Sequence, residues 1–149
     1  MQLKEVYTPD VACCTRETDA VAAAGLMRQR HVGALVIVDR LHDDRIPIGV
    51  ITDRDLVVDV LAPGLDPLAI SVGTIAKKPV IIANESEDIS AVVERMRSHG
   101  IRRMPVVNHA GLLVGIVTLD DLLGLMVSEA NALVQTTAKG QKQEQHLRR

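Results

Sequence analysis

Two short segments of this chain hold a threonine and an aspartate at the same spacing and in the same kind of place. They are Gly49-Val50-Ile51-Thr52-Asp53-Arg54-Asp55-Leu56-Val57 and Gly115-Ile116-Val117-Thr118-Leu119-Asp120-Asp121-Leu122-Leu123. Branched apolar residues ahead of the threonine and leucine directly after the aspartate predict a strand running into a helix. At such a junction threonine at N-cap and an acid at N3 form a capping box, with the carboxylate near the positive end of the helix dipole. The same atoms suit a nucleotide. A helix N-terminus offers unpaired N–H groups to a phosphate, and a nearby carboxylate can accept from both vicinal hydroxyls of a ribose. The glycine three residues before each threonine removes a side chain at a point where a ligand or another backbone can approach.

Other chemistry finds little support. His31, His42, His99, His109 and His146 show no metal-ligand spacing, and no Ser lies in G-x-S-x-G. His31 and His99 stand near predicted helix ends and read as caps or surface groups. No glycine-rich phosphate loop is found, so the chain does not read as an enzyme. Cys13 and Cys14 are adjacent in an apolar stretch without a C-x-x-C partner, and read as buried free thiols rather than a redox pair.

The elements that hold the Thr-x-x-Asp segments are themselves duplicated. Asp19, Ala22, Met27, Val36 to Val38 and Asp39 fall opposite Asp88, Ala91, Met96, Pro105 to Val107 and Asn108 at one constant offset. Residues 40–48 are three longer than their counterpart 109–114, and read as a protruding hairpin tip. Each copy reads as a short strand, a helix, two strands and a second helix. In the first these are Val11 to Cys14, a helix capped by Thr18 and Asp19 to about Gln29, Ala34 to Asp39, Pro47 to Thr52, and a helix ending before Ala62-Pro63-Gly64. In the second they are Val80 to Ala83, Ser86 or Asp88 to His99, Met104 to Val107, Leu112 to Thr118, and a helix from Leu119 to about Val134. Residues 1–62 thus form a first motif with its lead-in segment, residues 63–134 a second motif with its connector, and residues 135–149 a polar, disordered tail. The connector is too apolar at Leu68, Ile70, Val72 and Ile75 to be a free linker. It and Leu3 to Thr8 are expected to pack on the partner half.

Composition narrows the classes further. The 149 residues are 47% hydrophobic but include no Phe or Trp and a single Tyr, so the core and any ligand site must be aliphatic. A net charge of -2 gives no electrostatic case for nucleic acid or an anionic membrane. No run reaches the ~20 apolar residues of a membrane span, and the start lacks a secretory signal. A cytoplasmic protein is expected.

The pattern G-h-h-T-x-x-D, repeated within one chain and preceded in the second copy by Met104-Pro105-Val106-Val107-Asn108, resembles the tandem cystathionine β-synthase (CBS) domain pair. The resemblance runs from residue 1 to about 134. It implies an α/β fold of the α+β type: two pseudo-symmetric β-α-β-β-α units packed through their sheets, with two clefts that take AMP, ADP, ATP or S-adenosylmethionine. Carried over, it implies Asp55 and Asp121 as ribose ligands and Thr52 and Thr118 as phosphate or ribose ligands. It implies the backbone of Val11, Ala12 and Cys13, and of Lys78, Pro79 and Val80, for the adenine edge. Arg102 and Arg103, just before Met104-Pro105, fall where basic phosphate ligands are often found, and Pro105 belongs to the same segment. The first copy has Gly33 and Ala34 there and carries Arg54 inside its motif, where the second has Asp120. Arg54 is therefore expected at one cleft, and Arg102 with Arg103 at the other. The resemblance also implies a homodimer that regulates an unknown protein effector. The alternatives are a ligand-free dimerisation scaffold and a redox-responsive protein using Cys13 and Cys14.

Overall fold

The computed structural model describes residues 1–148. In it each repeat folds as one three-stranded sheet with its helices, the predicted β-α-β-β-α order. In the first sheet β1 (Cys13–Cys14) runs parallel to β2 (Ala34–Leu41), which pairs antiparallel with β3 (Asp44–Thr52). The second sheet repeats this with β4 (Ala83–Asn84), β5 (Arg103–Val107) and β6 (Leu113–Thr118). Helix α1 (Ala20–Arg30) crosses from β1 to β2, and α4 (Ile89–His99) from β4 to β5. Their starts are local decisions. Asp19 Oδ1 accepts the Ala22 N–H at 2.8 Å and Asp88 Oδ2 accepts the Ser90 N–H at 3.2 Å. Both helices stop on a left-handed residue, His31 at φ 54° and Gly100 at φ 61°.

The ladders begin later than the apolar runs do. Val11 and Ala12, and Val80 to Ile82, lie outside β1 and β4. The hairpin tip is as expected: Arg40 pairs with Arg45 and Leu41 with Asp44, leaving a two-residue turn with His42 at φ 57°. Each β hairpin also carries a bulge beside the motif glycine. Ile37 faces Gly49 and Val38 faces Pro47, so Ile48 is the extra residue, and Val114 is its counterpart opposite Val106 and Val107.

The two halves exchange their lead-in segments. Leu3, on a 3₁₀ turn (Leu3–Glu5), is fully buried in the core of the second half with Val92, Met96, Met104, Val106 and Leu122. Val72, opening the short helix α3 (Val72–Ile75), is fully buried in the first half with Ala23, Leu35, Ile37 and Ile51. Backbone pairing repeats the exchange. Lys4 N–H donates to Glu85 C=O, and Gly73 N–H donates to Arg16 C=O at the matching place. A third cluster of Val11, Val36, Val38 and Leu113 joins the sheets face to face.

The last helix of the first half, α2 (Asp53–Leu56), continues into a π turn (Val57–Leu61) and ends ahead of Pro63. Its counterpart α5 corrects the expected tail, for it runs without a break over Leu119–Leu147. Apolar periodicity fades near Val134, but Ala138, Lys139, Gln141, Lys142, Gln143 and Glu144 are all good helix formers. Loss of an apolar stripe ends packing here without ending the helix. Its residues from Met126 onward are exposed.

Candidate functional site

Both Thr-x-x-Asp segments are complete capping boxes. The Thr52 N–H donates to Asp55 Oδ2 at 2.9 Å, and the Asp55 N–H donates to Thr52 Oγ1 at 3.1 Å. Thr118 and Asp121 repeat the pair at 3.1 Å in both directions. A box engages one carboxylate oxygen only, and Asp55 Oδ1 has no partner among the described residues. The Thr52 hydroxyl accepts in the box and keeps its own proton to donate. Capping therefore leaves one acceptor and one donor at the helix start.

The motif glycines serve packing. A Cβ on Gly115 would stand 2.1 Å from Tyr7 Cδ2 and 2.7 Å from the Thr8 carbonyl oxygen, and one on Gly49 would stand 3.2 Å from Ala76 Cβ. At Gly115 the space that glycine opens is thus taken by the aromatic ring of the exchanged lead-in segment, whereas at Gly49 only the methyl group of Ala76 approaches it.

One cleft gathers much of the predicted chemistry. It holds about 390 Å³, and the first half contributes Val50, Thr52, Asp53, Arg54 and Asp55. The second half contributes Lys77, Pro79, Val80 and Ile81 from its connector and entering strand, and Gly100 to Arg103 from the turn after α4. Its lining combines aliphatic Val50, Val80, Ile81 and Ile101 with basic Arg54, Lys77, Arg102 and Arg103 and with acidic Asp53 and Asp55. Lys77, Val50 and Ile81 were not singled out from the sequence. The exchange of lead-ins is the signal that finds them, because it sets the segment before β4 against the helix start of the opposite half.

The cleft corrects the division of the arginines. Arg54 and the pair Arg102 and Arg103 line the same cavity rather than separate ones. The Arg54 motif and the turn before β5 belong to opposite repeats, and the packing of the halves brings them together. Arg102 also reaches Asp120 at 3.8 Å, with both side chains largely in water, so this pair constrains it little. Arg103 lies over Gly33, its guanidinium 3.3 Å from where a Cβ would stand.

The remaining predicted residues lie elsewhere. Lys78 faces the other side of the connector and lines a separate cavity. Pro105 is buried in β5 opposite Ile116. Thr118, Asp121, Val11, Ala12 and Cys13 are not among the residues lining this cleft. Val11 and Ala12 are buried, Val11 between the two sheets, and Val36 N–H donates to Ala12 C=O at 3.0 Å. Cys13 Sγ accepts from Arg45 Nη1 at 3.4 Å. Burial pushes the Cys13 thiol up against the pull of Arg45, and pushes Cys14 up to about 11. Both shifts disfavour the thiolate, the form that reacts in redox chemistry. Among the described residues no group of three potential metal ligands is found, and no helix is long and apolar enough to cross a membrane.

Comparison with known proteins agrees with this architecture. Residues 3–61 and 72–128 each match the model of the CBS domain. The chain is 39% identical over 119 residues to an uncharacterized protein of Methanopyrus kandleri, a match covering 80% of this chain and 59% of that one. Among solved structures, a CBS domain protein of Pyrobaculum aerophilum complexed with AMP superposes with a TM-score of 0.73 at 26% identity, covering 82% of this chain and 90% of that one. A CBS domain pair in complex with 5′-methylthioadenosine and S-adenosyl-L-methionine gives 0.75 at 25% identity, covering 87% and 98%.

Proposed function

The chain belongs to the CBS domain family, and from that premise we propose that it is a regulatory module that binds an adenine nucleotide in the cleft between its halves. The observation that carries this is the meeting of a capped helix start, with one free carboxylate oxygen, and four basic side chains around one aliphatic cavity of about 390 Å³. Asp55 Oδ1 and the Thr52 hydroxyl take the ribose, and Arg54, Lys77, Arg102 and Arg103 take the phosphate. The adenine ring lies between Val50 and Val80 and reads backbone at Pro79 and Val80. Solved relatives hold AMP or S-adenosyl-L-methionine, and AMP suits the cluster of positive charge best.

Occupancy would act on a partner protein by changing the geometry of a homodimer. Val57, Val58 and Leu61 on the first half, with Leu123, Met126 and Val127 on α5, are large apolar side chains left in water in the single chain. Light scattering should return twice the chain mass of 16.1 kDa.

A ligand-free scaffold is the second reading, and the self-sufficient capping boxes favour it. Thermal unfolding separates the two. Binding to the folded state alone adds RT ln(1 + [L]/Kd), about 2.7 kcal/mol at a hundredfold excess over Kd. That corresponds to a rise of roughly 2 to 6 °C in Tm for a domain of this size. AMP should produce it and CMP should not. Protein free of the 260 nm band of adenine, and indifferent to millimolar AMP, ADP, ATP and S-adenosylmethionine, would be the scaffold.

A further inference from the structure

A second cavity, also about 390 Å³, lies on the other side of the connector, between residues 71–78 and the first sheet. Ile37, Ile48 and Ala76 form its apolar part, and Arg16, Glu17 and Lys78 stand at its rim. It is distinct from the nucleotide cleft, because alternate connector residues divide between the two: Ala76 and Lys78 line this one, Lys77 and Pro79 the other.

The internal duplication says what fits there. Gln2 bridges to Asp88 as Ser71 does to Asp19, and Lys4 N–H reaches Glu85 C=O as Gly73 N–H reaches Arg16 C=O. Residue 76 therefore stands in the first half where residue 7 stands in the second, and residue 16 stands where residue 85 does. In the second half that position is Tyr7. Its ring lies against Gly115 and its hydroxyl donates to Glu85 Oε2 at 3.3 Å. In the first half the small Ala76 stands at that position, the cavity opens beside it between Ile37 and Ile48, and Arg16 replaces the acid.

We propose that this cavity binds a small aromatic carboxylate, whose ring takes the place that Tyr7 fills in the other half and whose anionic group meets Arg16 and Lys78. The reversal of charge sets the class. Glu85 accepts from a phenol, whereas Arg16 offers donors and so selects an acceptor. Arg16 holds Asp39 through Nε and Nη2, which leaves Nη1 to face a ligand, and Lys78 is exposed without an ion pair among the described residues. Glu17 excludes a second negative group on the same rim.

Benzoate and its neutral analogue benzyl alcohol test this on the full chain, followed through the methyl resonances of Ala76, Ile37 and Ile48. Benzoate should shift these three saturably, and benzyl alcohol should bind at least tenfold more weakly. Ala76→Phe, which supplies a ring from within, should abolish the benzoate shifts of Ile37 and Ile48 while AMP affinity stays within twofold. Lys78→Gln, a change at an exposed side chain, should weaken benzoate at least threefold and leave benzyl alcohol unaltered. Absence of saturable shifts overturns the proposal, as does benzoate binding that survives Ala76→Phe. Equal affinity for the two probes, or indifference of benzoate to Lys78→Gln, overturns it as well.

Discussion

Asp55 spends one oxygen on the Thr52 N–H and keeps the other. Cap and ligand are therefore compatible roles, and the two can be told apart by what each substitution leaves standing. Asp55→Asn preserves an acceptor for the box, so it should lower stability by only about 0.5 to 1 kcal/mol, while the preference for AMP over 2′-deoxy-AMP disappears. Calorimetry checks the second effect and chemical denaturation the first. Equal binding of both nucleotides by the unaltered protein would remove the ribose role. The arginines call for a different experiment, since Arg54 and Arg102 line one cleft. Arg54→Ala and Arg102→Ala should each weaken AMP about tenfold at the same class of site and leave adenosine nearly unchanged. The double variant should depart from additivity by about 0.5 kcal/mol or more, as residues sharing a partner do. Strict additivity, with losses at two separate sites, would restore the division expected from the sequence. Cys14 gives an independent check of the thiol environment. With burial holding it up to about 11 against an ordinary 9.0, its thiolate fraction at neutral pH is about a hundredfold below that of an unperturbed thiol. Alkylation should be slower in proportion, and rapid labelling of Cys14 in the folded protein would bring back the redox alternative. At this scale the sequence supplied residue types and spacing but not company. Thr52, Asp55, Arg54, Arg102 and Arg103 could all be named from their motifs. That they share one cavity, and that Lys78 faces away from it while Lys77 faces in, depends on how two repeats pack, which no local pattern encodes.

The strand-to-helix junctions were readable because their signals are local: branched residues, then a hydroxyl, then an acid three positions on. The helix starts at Asp19 and Asp88 were readable for the same reason. The end of α5 was not, because helix propensity and apolar patterning part company after Val134, and the polar stretch to Leu147 remains helical without a buried face. Helix C-termini give a cleaner comparison. α1 and α4 are equal in length and end at matching positions, yet His31 stands at φ 54° where Gly100 stands at φ 61°. A side chain in the left-handed region costs about 1 kcal/mol, and glycine avoids it. His31→Gly should therefore raise stability by about 1 kcal/mol, and Gly100→Ala should lower it by a similar amount. The urea midpoint at constant m-value reads both. A loss on His31→Gly would mean that the imidazole makes contacts that outweigh the strain of its backbone.

The exchange of lead-in segments decides how the molecule behaves as a whole. Leu3 lies nowhere near the second repeat in sequence, yet it is fully buried in that repeat's core, and Val72 sits in the first repeat's core in the same way. The apolar character of both segments was visible in the sequence, whereas the depth of their burial follows from helices and sheets that leave matching gaps. Neither half can then complete its core without a piece of chain that precedes the other. The cluster of Val11, Val36, Val38 and Leu113 adds a shared dry seam. Cooperative unfolding of both halves is the consequence. Leu3→Ala should cost about 2 to 5 kcal/mol, the usual range for truncating a buried leucine, and the loss should be felt equally in both repeats. The chain supplies its own probe, because its single tyrosine, Tyr7, packs in the second half and there is no Trp. Tyrosine fluorescence reports that half, while far-ultraviolet circular dichroism reports all the helices together. In Leu3→Ala the two signals should move to lower denaturant by the same amount and remain superimposed, as a two-state transition requires. A Tyr7 transition that separates from the dichroism signal, leaving the first repeat folded after the second has melted, would show that the exchanged segments do not bind the halves into one folding unit.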